Sequence, residues 1–375
     1  MPARSRALAA LGVLLALLGV ALTIGLRPSA SAHDQVATAA AVSPPVGHVF
    51  VINIENKGFR TTWGPHSAAP YLARTLRAKG VLLSRYYGTA HHSLPNYIAQ
   101  ISGQGPNSAT QGDCPTYSAF RTTGRTARPQ QAVGSGCVYP SSVKTLPGQL
   151  AAAGKTWKGY MEDLGRPCQH ATLGTRDPWQ SATGYSQYAS RHDPFVYFRS
   201  ITSHPAYCRS HVVPLRALTT DLAATATTPN LSYITPDLCS DGHDRPCADG
   251  RPGGLASVNA WMKRWVPVIL HSPAFRQDGM LVITTDEADG VPQDASACCG
   301  EGAGPNASRP GIRGPGGGRV GALVISPYAA PGTTSSHPYN HYSLLATIED
   351  LLGVGRLGYA RTVPATFGPD VLSGG

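Results

Sequence analysis

Charged residues are scarce in this sequence, since Asp, Glu, Lys and Arg make up only 14% of its 375 residues. Globular domains usually carry about a quarter, so we expect few long solvent-exposed helices. No stretch combines clustered Lys and Arg with interleaved aromatic residues, so nucleic-acid binding is not expected despite a net charge of +10. Beyond residue 32, no apolar run reaches the roughly 18 residues of a membrane span, which predicts a soluble body for the chain.

The N-terminus has the pattern of a targeting segment. Two arginines precede an apolar run over residues 7–26, and Ala30-Ser31-Ala32 then forms an A-x-A cleavage pattern. We predict a signal peptide over residues 1–32 and a secreted, extracellular protein. The apolar run is also long enough to cross a bilayer, so an uncleaved membrane anchor is the alternative. Residues 33–46 are rich in Ala, Val, Ser and Pro and predict a flexible leader.

The eight cysteines lack the C-x-x-C spacing of a zinc ribbon. An even count in an exported chain favours disulfide bonds. Neighbours in the sequence suggest the pairs 114–137, 168–208 and 239–247. Cys298 and Cys299 either pair with each other or have separate partners.

Short apolar runs alternate with helical patterns along the chain. This alternation predicts an α/β fold with a mostly parallel central sheet. Residues 104–150 and 289–319 are rich in Gly, Pro and Ser and are predicted to be long loops outside the core. The predicted strands lie within 48–54, 156–164, 231–237, 279–290 and 320–328, and the predicted helices within 69–80, 255–273 and 339–355.

Acidic residues follow several predicted strands. Glu55-Asn56 ends the first strand, and Asp286-Glu287 ends the strand that begins near residue 280. The carboxyl ends of parallel strands meet at one edge of a sheet, where ligands bind. Carboxylates gathered there repel each other unless a cation or proton lies among them, so these pairs predict a divalent metal site. Alternatively, each acid caps the helix or loop that follows it.

The stretch HHSLPNY, residues 91–97, places a serine at the start of a predicted helix. Backbone N–H groups and the helix dipole favour an anion at such a position. A neighbouring metal would make Ser93 a nucleophile, whereas the alternative is that Ser93 only caps the helix. Six histidines lie near predicted loops or element starts and could hold phosphate oxygens or protonate a leaving group: His91, His92, His192, His243, His337 and His341.

Seven segments follow one another along the chain: HVFVINIENKGF, HHSLPNY, GYMEDL, YASRHDPFVYF, LSYITPDLCSDGHD, VITTDEADG and HPYNHYSLLATIEDLLG. In this order they resemble the phosphoesterase family of bacterial and plant phospholipases C and secreted acid phosphatases. The likeness spans residues 48–358 and is greatest to the mycobacterial secreted acid phosphatase type. The resemblance implies an alkaline-phosphatase-like three-layer α/β/α sandwich, with one phosphoesterase domain over 47–360 and a tail over 361–375.

The resemblance also implies the roles of individual residues. Ser93 matches the family's nucleophile, and Asn96 would hold a phosphate oxygen. The residues that match metal ligands, for one divalent ion whose identity the sequence does not specify, are Glu55, Asn56, Asp286 and Glu287. The histidines that would surround the phosphate are His192, His243 and His341, together with His92, which precedes the nucleophile.

These matches predict a secreted, metal-dependent phosphomonoesterase that forms a phosphoserine on Ser93. Its substrate would be a phosphorylated small molecule or lipid, and membrane contact would arise only through that substrate or an uncleaved anchor. The first alternative is a phospholipase C that cleaves phosphodiesters, although that branch usually has Thr as nucleophile and further C-terminal domains. The second is an inactive binding protein, which the presence of every matched site residue disfavours.

Overall fold

A computed structural model of the chain describes residues 45–373, and these belong to one compact unit. The predicted signal peptide and residues 33–44 of the predicted leader lie outside the described residues. None of the described helices has the length and apolar character needed to cross a membrane. The strands are β1 (His48–Ile54), β2 (Val81–Tyr87), β3 (Arg121–Thr122), β4 (Gly134–Ser135), β5 (Trp157–Met161), β6 (Val212–Pro214), β7 (Leu231–Thr235), β8 (Gly279–Thr285), β9 (Ala322–Ile325) and β10 (Thr334–Asn340).

Eight of these strands form the central sheet in the order β10-β2-β9-β8-β1-β7-β5-β6, and β3 and β4 form a separate hairpin. Only β9 is antiparallel to its neighbours, β2 and β8. The other pairs in the sheet are parallel. The predicted mostly parallel sheet is therefore confirmed, and all parallel strands end at the same edge.

The central strand β1 shows why the sheet has a layer on each side. Every residue of β1 is buried, which accounts for its nearly continuous apolar sequence. Val49 and Val51 pack into one hydrophobic cluster, whereas Phe50, Ile52 and Ile54 pack into another. Alternate side chains of a strand point to opposite faces, so each face of the sheet has its own core. The predicted three-layer α/β/α sandwich is confirmed.

The helices pack on these two faces. The helices predicted within 255–273 and 339–355 are confirmed, and they span Gly254–Leu270 and His341–Leu351 in the structure. The predicted helix over 69–80 consists of a π-helical turn, Tyr71–Leu76, and a 3-10 turn, Arg77–Lys79. The α-helices are α1 (Phe59–Trp63), α2 (Ser93–Ser102), α3 (Leu146–Ala152), α4 (Arg199–Thr202), α5 (Pro205–His211), α6 (Ala217–Asp221), α7 (Gly254–Leu270), α8 (Pro273–Asp278), α9 (Gly290–Gln293) and α10 (His341–Leu351).

Four disulfides join the eight cysteines. The predicted pairs Cys114–Cys137, Cys168–Cys208 and Cys239–Cys247 are present. Cys298 and Cys299 pair with each other, which was one of the two open alternatives. The first and last of these disulfides lie in the two predicted long loops, so the prediction of disulfide-tied loops holds.

Residues 361–373, predicted as a tail, pack against the core. The Phe367 ring lies 5.2 Å from the ring of Tyr339, centroid to centroid. Asp370 accepts a hydrogen bond from the Tyr339 hydroxyl at 3.1 Å, and Val371 and Leu372 are buried. The end of the chain thus covers the edge strand β10.

Candidate active site

Three buried carboxyl groups meet at the carboxyl edge of the sheet. Glu55 follows β1, Asp286 follows β8, and Asp241 lies in the loop after β7. None of the three side chains is exposed. The backbone holds them together, since the Glu55 N–H donates to the Asp241 carbonyl at 2.9 Å and the Asp286 N–H donates to Ile54 at 3.1 Å. The carboxylate cluster predicted from the strand ends is therefore formed.

Asn56 turns the chain sharply at the end of β1. Its φ is +51°, a left-handed conformation that Asn tolerates better than most residues. In this turn the Asn56 N–H donates to Asp286 Oδ1 at 3.0 Å. The adjacent Glu55-Asn56 and Asp286-Glu287 pairs are thereby joined, as the sequence predicted.

Burial raises the pKa of each of these carboxyl groups. For Glu55, the charges of Asp286 and Asp241 raise the pKa further, while the hydrogen bond from Tyr97 opposes the shift. Several ionised carboxylates in one buried space need a proton or a cation among them. The electrostatics of the cluster therefore suit a divalent cation.

Three polar atoms of the cluster are buried and have no hydrogen-bond partner among residues 45–373. They are Asn56 Oδ1, Asp286 Oδ2 and His192 Nε2. Buried polar atoms are normally satisfied, so these three neighbouring atoms are available to a bound ligand. Ligand atoms of Glu55, His192 and Asp241 also lie within 4.8 Å of one another. Oxygen donors with one imidazole fit a divalent metal ion.

Ser93 is the first residue of α2, and its side chain does not cap the helix. The residue before the helix is His92, and the Leu94 N–H donates to Asp113 Oδ1 at 2.9 Å. Ser93 Oγ instead donates to Glu55 Oε2 at 2.9 Å, and the side chain is almost fully buried. The structure thus places the predicted nucleophile against the carboxylate cluster.

Tyr97, which the sequence analysis did not single out, lies one helical turn after Ser93. Its hydroxyl donates to Glu55 Oε1, so both oxygens of that carboxylate accept a hydrogen bond from α2. Its ring stacks on His192 with 5.3 Å between centroids. The spacing of four residues from Ser93 was a usable signal, because residues i and i+4 share one helix face.

The side-chain amide of Asn96 makes hydrogen bonds with the backbone of the loop before α2. Its Oδ1 accepts from the Thr89 and Ala90 N–H groups at 2.8 and 3.0 Å. Its Nδ2 donates to the carbonyls of Ala90 and His92 at 2.8 and 2.9 Å. Both amide protons are used in this structure, and the role of Asn96 in holding phosphate stays a prediction. Asn96 shapes the loop that presents Ser93.

Of the two adjacent histidines, His91 reaches the site and His92 does not. His91 is fully buried, its Nδ1 contacts Glu287 Oε2, and its Nε2 lies 2.8 Å from the Asp294 carbonyl. His92 is exposed, and its Nδ1 lies 2.9 Å from the Gln111 carbonyl. The structure thus places His92 outside the buried cluster, and its role beside the phosphate stays a prediction. Glu287, a predicted metal ligand, is buried and contacts His91.

His192 and His243 lie beside the cluster. His192 is buried, with Nδ1 3.1 Å from Asp241 Oδ2 and Nε2 3.4 Å from Glu55 Oε2. Burial lowers the pKa of His192, and the neighbouring Arg191 charge adds to this. The exposed ring of His243 lies 6.0 Å from that of His192, centroid to centroid. One predicted histidine thus lies inside the site and the other at its mouth.

Arg191 is a site residue that the sequence analysis missed. It is 6% exposed, and its Nη2 lies 3.1 Å from His243 Nε2. Burial raises the pKa values of Glu55 and Glu287, and the Arg191 charge opposes this shift. The dipeptide Arg191-His192 belongs to a matched segment, so its position beside a predicted site histidine was the available signal.

His341 contacts the backbone of the carboxylate cluster. It is the first residue of α10 and is fully buried. Its Nε2 lies 2.6 Å from the Asp286 carbonyl, and its Nδ1 contacts the Tyr86 hydroxyl and Gln100 Nε2 at 3.0 and 3.1 Å. A carbonyl only accepts, so Nε2 carries the proton. Burial lowers the pKa of His341 to about 4, and both nitrogens are engaged, which makes it a positioning residue.

A model of the Phosphoesterase family matches residues 65–355. The chain belongs to the Phosphoesterase family. Membership confirms the resemblance seen in the sequence and makes the protein a hydrolase acting on phosphoric ester bonds.

Relatives with this chemistry come from bacteria and fungi. A phosphatidylinositol-3-phosphatase of Mycobacterium tuberculosis is 25% identical over 359 residues, covering 96% of this chain and 92% of the relative. An acid phosphatase of Aspergillus fumigatus is 23% identical and covers 88% of this chain, and a phosphate-repressible acid phosphatase of Penicillium chrysogenum is 24% identical and covers 76%. The chain spans only 62% and 54% of the length of these two fungal relatives.

Solved structures are similar over most of the chain at low identity. A protein of the alkaline phosphatase superfamily from Vibrio parahaemolyticus has a TM-score of 0.47 and 10% identity, covering 84% of this chain and 69% of that one. The murine ectonucleotide pyrophosphatase/phosphodiesterase 5 has a TM-score of 0.47 and 10% identity, covering 87% of this chain and 100% of that one.

Proposed function

We propose that this phosphoesterase is a metal-dependent phosphomonoesterase that acts through a phosphoserine on Ser93. The observation that carries the proposal is the place of Ser93 Oγ, buried at the start of α2 and 2.9 Å from Glu55 Oε2. This hydroxyl lies at a helix N-terminus, beside oxygen atoms that could bind a metal ion. A phosphate and its metal would meet at such a position.

Asn56 and Asp286 would hold the metal ion together with Glu55, because Asn56 Oδ1 and Asp286 Oδ2 are buried without a hydrogen-bond partner among the described residues and such oxygens suit a divalent cation. When bound, the ion would lower the pKa of the Ser93 hydroxyl and offset charge on the phosphate. Glu287, the fourth predicted ligand, contacts His91, which would orient its carboxylate. Tyr97 and the backbone of Asn56 orient the carboxylates.

The first half-reaction forms a bond between Ser93 Oγ and phosphorus while the phosphorus–oxygen bond to the alcohol breaks. The Ser93 proton passes to Glu55 Oε2, the acceptor already in place. The leaving oxygen takes a proton from His192 Nε2, which lies 3.4 Å from Glu55 Oε2 and makes no hydrogen bond among the described residues. A bound phosphate dianion favours the protonated form of His192.

The second half-reaction releases inorganic phosphate. A water molecule gives a proton to His192 Nε2, and its oxygen attacks the phosphorus. The bond from phosphorus to Ser93 Oγ breaks, and Glu55 returns the proton to Ser93. Asp241 holds the His192 ring through Nδ1 in both steps.

Ser93→Ala tests the nucleophile. We expect kcat on p-nitrophenyl phosphate to fall about 10³-fold or more, while the melting temperature changes little. Ser102→Ala is the matched control, because Ser102 is a buried serine of the same helix whose Oγ donates to the Ile98 carbonyl at 2.7 Å. Mass spectrometry of acid-quenched enzyme should find phosphate on Ser93. Near wild-type turnover by Ser93→Ala would refute the assignment.

Chelation tests the metal, and a substrate pair tests the ester class. We expect EDTA to abolish turnover and added divalent ions to restore it. We expect p-nitrophenyl phosphate to be hydrolysed faster than p-nitrophenylphosphorylcholine, because the relatives are named as phosphatases. Faster hydrolysis of the choline diester would favour a phospholipase C instead.

The four disulfides support an extracellular location. Such bonds persist in oxidising compartments and are rare where thiols are kept reduced. Together with the pattern of a signal peptide over residues 1–32, they lead us to propose secretion. Recovery of activity only with the cells, in a fractionated culture, would contradict this.

A further inference from the structure

A groove of about 640 Å³ opens beside the catalytic residues. His243 and Lys57 line it, and Lys57 directly follows Asn56 in the sequence. We call it the basic groove, because its charged lining contains three permanent cations and a single carboxylate. Its charged and imidazole side chains are Lys57, Arg60, His66, His243, Arg245 and Asp289.

Two of these cations are free to meet an occupant. No ion pair found among residues 45–373 involves Arg60 or Arg245, and both side chains are exposed. Asp289 Oδ2 accepts hydrogen bonds from the Gly58 N–H and from Thr61 Oγ1, both at 2.9 Å.

Lys57 makes the wall of the groove rigid. Its Nζ donates to the carbonyls of Glu55, Asn56 and Gly242 at 3.1, 3.2 and 3.0 Å. These bonds connect the end of β1 to the loop that carries Asp241 and His243. The groove and the carboxylate cluster are therefore built on the same backbone, and their relative position is set.

The groove begins where the alcohol part of a substrate would leave the catalytic centre. The His243 ring, which lines the groove, lies 6.0 Å from that of His192, which we propose protonates the leaving oxygen. A phosphate ester bound at Ser93 and protonated by His192 would have room for its alcohol part along this wall. Cations at such a place attract anions and raise their local concentration.

We propose that the basic groove binds a second anionic phosphate group carried by the alcohol part of the substrate. The preferred substrates would be phosphomonoesters that contain another phosphate, either a soluble bisphosphate or the phosphodiester of a phosphorylated lipid headgroup. This inference rests on the proposed phosphomonoesterase function and adds the substrate class.

The test compares matched substrates on the full-length protein. Fructose 6-phosphate and fructose 1,6-bisphosphate differ by one phosphate, and p-nitrophenyl phosphate has no second anion. Vesicles of phosphatidylcholine containing phosphatidylinositol 3-phosphate represent the lipid source. The variant is Arg60→Ala with Arg245→Ala, and Arg276→Ala is the control. Arg276 is an exposed arginine on α8, which leads into the opposite end of the sheet.

For the double variant, we expect kcat/KM to fall about tenfold on the doubly charged substrates, chiefly through KM, because each exposed contact contributes up to about five-fold. The change on fructose 6-phosphate and p-nitrophenyl phosphate should stay below about twofold, and Arg276→Ala should change none of them. Raising the salt from 50 to 300 mM should shrink the wild-type preference, because surface charges are screened.

The pattern of losses identifies the source of the second phosphate. A loss on fructose 1,6-bisphosphate supports the soluble class, and a loss on the vesicles alone supports the lipid headgroup. Equal changes on all substrates, or none on the doubly charged ones, would overturn the groove proposal. That failure is distinct from a failure of the proposed function, which would show as Ser93→Ala retaining the wild-type rate on p-nitrophenyl phosphate.

Discussion

Tyr97→Phe would remove one hydroxyl from the centre of the site and leave the ring in place. The hydroxyl donates to Glu55 Oε1, and the ring, which stacks on His192, would be unchanged. Burial and the neighbouring Glu55 charge raise the pKa of Tyr97, so its hydroxyl keeps its proton at any working pH. The variant therefore removes a permanent hydrogen-bond donor from a buried carboxylate.

The size of the effect follows from the kind of bond. A hydrogen bond to a charged group contributes about 1.5–3 kcal/mol, which corresponds to roughly 10- to 100-fold in an equilibrium or rate constant. Partners that orient a metal ligand have effects of about the same size on metal affinity. We therefore expect kcat/KM on p-nitrophenyl phosphate to fall by about 10- to 100-fold and the half-saturating metal concentration to rise by a similar factor.

The assay is metal titration of chelator-treated enzyme, with the melting temperature followed in parallel. Tyr139→Phe is the control, because Tyr139 is equally buried and its hydroxyl accepts from Asn107 Nδ2 at 3.2 Å, away from the carboxylates. If Tyr97→Phe kept wild-type kcat/KM and metal dependence, Glu55 would not need Tyr97, and the proposed ligand geometry would be wrong.

Three further substitutions test other parts of the structure. His91→Ala should reduce kcat/KM on p-nitrophenyl phosphate by more than about tenfold, and His92→Ala by less than about twofold. The reason is that only His91 is buried at the site, and the reverse ranking of the two variants would contradict this placement. Burial raises the pKa of Glu349 to about 9, so the folded protein retains a proton that the unfolded chain releases above 4.5, and stability falls as pH rises through this window. Glu349→Gln should therefore raise the melting temperature by about 2–5 °C at pH 8 but not at pH 4, and equal shifts at both would refute this. Replacing Cys114 and Cys137 by Ala should lower the free energy of unfolding by about 3 kcal/mol in urea denaturation, since the bond closes a loop across 23 positions, and an unchanged midpoint would contradict it.

The buried parts of the sheet were predictable because their sequences are constrained on both faces. β1 and β8 are buried throughout and have the apolar runs that this requires. The sequence did not predict β2 or β10. β10 is an edge strand in which three of seven residues are exposed, so no apolar pattern marks it. Its pairing with β2 joins residues 252 or 253 positions apart, which no local pattern contains.

The site was predictable where it depends on strand ends and unpredictable where it depends on side-chain direction. Glu55 and Asp286 must meet, because each follows a parallel strand of the same sheet. No periodic pattern tells which of His91 and His92 faces inward, because they lie in a turn. Asn96 matched its family position, yet its amide is used by the loop, and only the three-dimensional structure shows this competition.

The contacts of His341 also determine when the catalytic centre can form. It touches Tyr86, 255 positions earlier in the chain, and Gln100, 241 positions earlier. Its bond to the Asp286 carbonyl joins the final helix to the carboxylate cluster. A growing polypeptide therefore contains Ser93, the proposed nucleophile, long before it contains the residue that holds the Asp286 backbone. We therefore expect the carboxylate cluster to reach its final geometry only in the last steps of synthesis and folding.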